Sequence, residues 1–162
     1  MKHKMIKKNR QLTSEETMKI LINGEYGVLS TVSEELQPYG VPLSYAILND
    51  ALYFHCAMVG HKLNNIKNNT KVCFTVVGDT CPVMEPENFN FSTYYESVIV
   101  FGQVTEINSE REKVDVLRVL CKKYLNEHMH HFEHAINRSI KGTKVFKISI
   151  DKITGKAKKQ IP

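Results

Sequence analysis

Four side chains able to do chemistry crowd into "FHCAMVGHK": His55, Cys56, His61 and Lys62. Gly60 allows a tight backbone approach, and His61 and Lys62 fall in the first turn of a short helix expected over residues 60–69. A cation at a helix start works against the macrodipole. A bound phosphate would remove that conflict, because helix N-termini and cations both attract anions; a plain solvated surface lysine is the other reading. His55 and Cys56 lie in an alternating strand, where a satisfied strand residue and a ligand contact are both open. A second concentration is "HMHHFEH", with His128, His130, His131 and His134. On a helix His130 and His134 share a face, a spacing that suits Zn, Ni or Cu; an exposed polar stretch is the alternative.

Positioning these groups requires a framework of strands. Thr13 and Glu16 have capping-box spacing, so residues 13–23 are expected as a helix, with Met18, Leu21 and Ile22 on its apolar face. Residues 27–33 form a short β-branched strand, 39–48 a second and 51–57 a third, joined as a meander. Pro42 lacks an N–H and therefore belongs at an edge, at a bulge, or where the backbone meets something other than a strand. Residues 71–79 and 97–107 are further strands, with Gly102 expected to mark a bend or bulge and a polar, proline-bearing loop over 80–93. Ser109 and Glu112 open a helix to about residue 125, with Val114, Leu117, Leu120, Cys121 and Tyr124 inward. Residues 128–141 are read as a short helix, and 143–155 alternates as a half-buried strand. That makes six strands with three or four short helices: a mainly β fold, a small antiparallel barrel with helices at its ends.

The 162 residues, 42% hydrophobic, suit a single domain with a real core. The net charge of +5 concentrates in two tails: Lys2, Lys4, Lys7, Lys8 and Arg10, then Lys156, Lys158 and Lys159. They are expected as solvated, partly disordered ends; without interleaved aromatic residues they offer bases nothing to stack on. The four cysteines, 56, 73, 81 and 121, include no C-x-x-C pair. Neither a signal-peptide pattern nor a membrane-spanning run is seen, so reduced thiols and a cytoplasmic location are expected, with no membrane or nucleic-acid partner. A Gly-rich dinucleotide fingerprint and a P-loop are both lacking.

Six stretches, "YGVLSTV" (26–32), "QPYGVPLSYA" (37–46), "LYFHCAMVGHKLNNI" (52–66), "KVCFTVVG" (71–78), "YYESVIVFGQVTEI" (94–107) and "KVFKISIDKITGKA" (144–157), resemble the pyridoxamine 5'-phosphate oxidase-like flavoproteins, in particular the branch related to 5-nitroimidazole antibiotic resistance. The resemblance implies an FMN-binding split β-barrel, six-stranded, antiparallel and Greek-key-like, over residues 13–157, between a basic tail (1–12) and a C-terminal tail (158–162). It implies a homodimer with FMN at the subunit interface. The site residues it implies are Ser30 and Thr31 toward the phosphate; Val41, Pro42, Leu43 and Ser44 along the flavin ring; His55, Cys56 and Ala57 over the phosphate and ribityl chain; Gly60, His61 and Lys62 at the phosphate; and Tyr94, Glu96 and Ser97 from the second subunit. His61 is also the candidate for proton transfer or haem ligation. The activity implied is electron transfer from NADH or NADPH to a small flat acceptor, such as a nitroaromatic. A haem- or flavin-binding protein without efficient turnover, and pyridoxamine phosphate oxidase-type activity, are the alternatives. The basic C-terminal substrate signature of true pyridoxamine phosphate oxidases is not seen in "GKAKKQIP".

Overall fold

The structure, a computed structural model, describes residues 5–87 and 89–159; Lys2 and Lys4 of the N-terminal basic run lie outside the described residues. Helix α1 (Ser14–Asn23) starts where the sequence places it: the Thr13 side chain accepts from the Glu16 N–H and the Glu16 carboxylate accepts from the Thr13 N–H, a complete capping box. Strands β1 (Gly27–Val32) and β2 (Pro38–Leu43) form an antiparallel hairpin, and β3 (Ala46–Leu48) and β4 (Ala51–Cys56) form another. Helix α2 (His61–Asn68) follows, then the long strands β5 (Lys71–Glu85) and β6 (Asn90–Glu106), α3 (Glu110–Leu125), α4 (Phe132–Ser139), β7 (Lys144–Ser149) and β8 (Lys152–Lys158).

The strand order is β2-β1-β5-β6-β7-β4-β3, with β8 also paired to β6. Strand β6 is the hub. One edge pairs with β5 from Asn90 to Gln103; the other pairs with β8 at residues 95–101 and with β7 at 104–106. Gly102 stands at that change of partner. A Cβ there would collide with the Ser149 carbonyl oxygen, so the glycine serves a close backbone approach. The register shift lies elsewhere, between Val77 and Thr80.

The expectation of a mainly β, six-stranded split barrel with short helices is overturned. The fold is mixed α/β. Its sheet has eight strands and stays open, because β2 and β3 end the order without pairing to each other. A helical stretch of 33 residues runs from Glu110 to Gly142: α3, a 3-10 segment (Asn126–His131), α4 and a final 3-10 turn (Ile140–Gly142). No residue of the 126–131 segment is buried, so its sequence has no apolar period to announce the continuity.

The strand assignments shift for equally local reasons. The single strand read over 39–48 breaks at Ser44–Tyr45, where the Tyr45 N–H donates to the Tyr124 hydroxyl and the Tyr45 hydroxyl donates to the Leu21 carbonyl. Strands β2 and β3 therefore lie at opposite ends of the sheet, and there is no three-strand meander. The loop read over 80–93 is instead the far end of the β5–β6 hairpin, and the strand read over 143–155 turns at Ile150–Asp151. The core forms two clusters. Leu29, Phe54, Phe74, Val98 and Val100 anchor the first; Val116, Leu120, Phe132, Ile136 and Val145 anchor the second, beneath α3 and α4. The basic end of the chain is held: Lys158 pairs with Glu85 at 2.6 Å and Lys159 with Glu16 at 2.7 Å.

Candidate functional site

Strand β4 delivers His55 and Cys56 at its last two positions, and the chain reaches α2 through the exposed residues Ala57 to Gly60. Gly60 has φ 149°, a conformation that side chains rarely adopt, and a Cβ there would meet nothing within 4 Å. No side chain caps α2. The Gly60 carbonyl accepts from Leu63 and Asn64, so the N–H groups of His61 and Lys62 point outward from the first turn.

A buried lock fixes that helix against the sheet. Asn65, 2% exposed, donates its side-chain amide to Thr31 Oγ1 at 2.9 Å, and Thr31 Oγ1 donates to the Tyr39 carbonyl at 3.4 Å. The Thr31 hydroxyl is thus occupied on both sides within the chain, and Ser30 is half-buried beside it. The exposed His61 ring packs on Tyr39, with centroids 4.3 Å apart and planes inclined by 38°.

Lys62 reaches the end of β4 electrostatically. Crowding by surrounding protein, and then the Lys62 charge, lower the His55 pKa, so its imidazole favours the neutral form. Burial raises the Cys56 thiol, against the opposing charges of Lys62 and Lys144. Lys144 stands opposite Cys56 in the β4–β7 register, and both Glu106 oxygens bind its ammonium at 2.8 and 2.9 Å. Cys56 is therefore not an activated nucleophile.

Strand β2 ends the sheet order, which confirms the edge reading of Pro42. Pro42 is exposed, while Val41 and Leu43 pack against the core. Among the described residues, no strand pairs with the second edge of β2. Ser44 follows at the chain break and shares a cleft of about 370 Å³ with His55.

Tyr94, Glu96 and Ser97 lie elsewhere in the single chain. Tyr94 lines a cleft with Arg10 and Lys158, and Glu96 lines a larger one between α1 and β5. Ser97 pairs with Val77 and Lys156. None lines the cleft that holds His55. The four histidines 128, 130, 131 and 134 are all exposed. The 3-10 segment ends at His131 and α4 begins at Phe132, so His130 and His134 stand in adjacent helical segments of different type. The rings of His130 and His131 lie 4.0 Å apart. Among the described residues, no three metal-ligating side chains converge.

Asn65 and Tyr39 are site-forming residues that sequence reasoning missed. The paired asparagines of "LNNI" were the available signal: Asn65 adjoins Ile66 on the inward face of α2.

A family model described as pyridoxamine 5'-phosphate oxidase matches residues 13–157. Among solved structures, the chain is similar to a proposed 5-nitroimidazole antibiotic resistance protein from Bacteroides thetaiotaomicron, at 23% identity and TM-score 0.77, over 91% of this chain and 86% of that one. It is similar to the flavocytochrome Anf3 from Azotobacter vinelandii, at 19% identity and TM-score 0.84, over 99% and 74% of the two chains. It is also similar to an FAD and heme binding protein from Mycobacterium smegmatis, at 18% identity and TM-score 0.81, over 94% and 75%. At these identities the likeness shows the fold. None of the curated proteins matches by sequence. Among the described residues, no helix is long and apolar enough to cross a membrane.

Proposed function

The chain belongs to the pyridoxamine 5'-phosphate oxidase family, and from that premise we propose that it is a flavin-dependent oxidoreductase that binds FMN and works as a homodimer. The observation that carries the reading is the start of α2. Two outward N–H groups, the Lys62 ammonium and an unhindered Gly60 make a set of donors that fits a phosphate dianion. The Asn65–Thr31 lock holds that donor set in place.

His61, Lys62 and Gly60 hold the phosphate in this reading, with His55, Cys56 and Ala57 alongside. The partnerless edge of β2 offers the Gly40 N–H and the Pro42 carbonyl, because Val41 and Leu43 alternate with them and turn their backbone groups to β1, and Ser44 offers a hydroxyl, to a flat polar ring. Tyr94, Glu96 and Ser97 complete the site from the second subunit. Bound flavin supplies two-electron transfer between a reduced nicotinamide and a small flat acceptor, such as a 5-nitroimidazole or another nitroaromatic. The chain's own contribution is to bind, to orient and to exclude water.

Protein purified without added cofactor should show flavin absorption bands, and these should bleach on anaerobic titration with NADH or NADPH. Bands that persist with both donors overturn the nicotinamide-dependent reading. Protein that stays colourless and takes up no added FMN overturns the cofactor assignment. A haem- and flavin-binding role without turnover is a second reading. Two of the similar structures are of proteins described as a flavocytochrome and as binding FAD and heme, and the neutral His55 imidazole suits a metal ligand. A haem absorption band in the purified protein favours it.

A further inference from the structure

Among the clefts on the described surface, three can be compared by charge, and two of these carry fixed charge. One, of about 810 Å³, has Glu16, Glu25, Asp79 and Glu96 with Lys19 and Lys159 on its walls. The next, about 480 Å³, has Arg10, Glu85 and Lys158. The third, about 370 Å³, has no Asp, Glu, Lys or Arg on its walls, in a chain that is 24% charged. It lies under α3 and α4. Leu117, Leu120, Phe132 and Ile136 line it from those helices, and the Tyr124 and Phe132 rings contribute aromatic faces.

The polar groups at its rim are unequal. The Tyr124 hydroxyl is bound at the Tyr45 backbone, Ser139 donates to the Ala135 carbonyl, and Thr143 donates to the Ser139 carbonyl. The His55 side chain makes no hydrogen bond to another described residue. A pocket without charged groups excludes charged ligands, because it returns nothing for their lost hydration. A volume near the low end of ordinary ligand sites, about 300 Å³ upward, holds one small ring system.

We propose that the α3–α4 cleft is a binding site for an uncharged aromatic molecule of one or two fused rings, whose polar edge hydrogen-bonds to the His55 imidazole. The cleft adjoins the proposed flavin site, because His55 and Ser44 line it. Its walls come from one chain, and the α3 and α4 residues among them are not ones proposed to hold FMN. His55 favours the neutral form here, so it offers one donor or one acceptor without a charge.

The test uses indole as the probe and methyl NMR of the purified protein as the readout. Indole should shift the methyl signals of Leu117, Leu120, Leu125 and Ile136, and indole-3-acetate should bind at least tenfold more weakly. Two exposed rim positions provide blocking variants: Ala135→Trp on α4 and Leu125→Trp at the end of α3. Each should weaken indole at least tenfold and leave FMN uptake unchanged. Indole that binds both variants as well as the parent, shifts located elsewhere, or equal affinity for the two probes would overturn the proposal. Protein that takes up no FMN yet binds indole in this pattern would end the flavin reading and leave this site standing.

Discussion

Lys62 occupies the first turn of α2, where the helix dipole costs a cation about 0.3–1 kcal/mol. A side chain kept there against that cost should matter to an anion more than to the fold. Lys62→Ala should therefore leave the melting temperature of flavin-free protein unchanged or slightly raised. It should weaken FMN at least about tenfold, or about 1.4 kcal/mol, while affinity for riboflavin, which lacks the phosphate, stays the same. Isothermal titration with both ligands checks this; equal losses for the two would place Lys62 away from the phosphate. His55 gives a second expectation, from the sign of its shift. Its folded pKa lies below the ordinary value of about 6.5, so between those two values the unfolded chain binds more protons. Stability should fall as pH drops from about 6.5 toward the folded pKa and level off below it. Urea denaturation midpoints measured from pH 7.5 to 4.5 should decline less in His55→Gln than in the parent. At this scale the sequence exposed the residues that carry chemistry, His55, Gly60, His61 and Lys62. It concealed Asn65, because an amide in "LNNI" reads the same whether it faces solvent or the Thr31 hydroxyl.

The elements were legible where local chemistry determines them. Helix α1 carries its own capping box, and α3 starts at Ser109, whose hydroxyl accepts from the Glu112 N–H. They were illegible where tertiary contacts decide. Nothing in "VPLSYAIL" says that the chain leaves the sheet at Ser44, because the break is held by Tyr124 and Leu21, far away in sequence. Pro82 and Pro86 made 80–93 look like a loop, yet Thr80 to Glu85 pairs with Asn90 to Tyr95 in continuous register. Ile150 keeps the apolar alternation running through the β7–β8 turn and so hides it. Gly102 was singled out as a bend or bulge; the ladder to β5 carries no bulge there, and the approaching Ser149 carbonyl is invisible from sequence. The placement of α2 likewise depends on a long-range bond. Asn65→Ala removes that bond and leaves Thr31 Oγ1, in a 2% exposed residue, without its amide partner. The expected loss is about 1–3 kcal/mol by denaturant unfolding. FMN affinity should fall with it, although Asn65 is not one of the proposed phosphate ligands. Unchanged stability would mean that α2 is held by Leu63 and Ile66 alone.

The single chain leaves large apolar side chains in water. Phe91 is 87% exposed, Val59 83% and Phe89 79%. Phe89 and Phe91 sit at the far end of the β5–β6 hairpin, where Met84 stands opposite Phe91 in the register. Grouped exposure of this kind marks an association surface, and under the proposed function the associating partner is a second copy. The same strand β6 carries Tyr94, Glu96 and Ser97, which do not line the cleft that holds His55 in one chain. If they complete the flavin site across an interface, association and cofactor binding are thermodynamically linked: each must strengthen the other. Light scattering should give twice the 18.6 kDa chain mass, and dilution should release flavin as the dimer dissociates. Phe91→Glu places a charge in the apolar end of the hairpin, away from the α2 donors. It should shift the protein toward monomer and weaken FMN together, and raising the protein concentration should restore both. A Phe91→Glu protein that is monomeric yet binds FMN at full affinity would mean that one chain builds the whole site. A variant that remains dimeric would place the interface away from this hairpin.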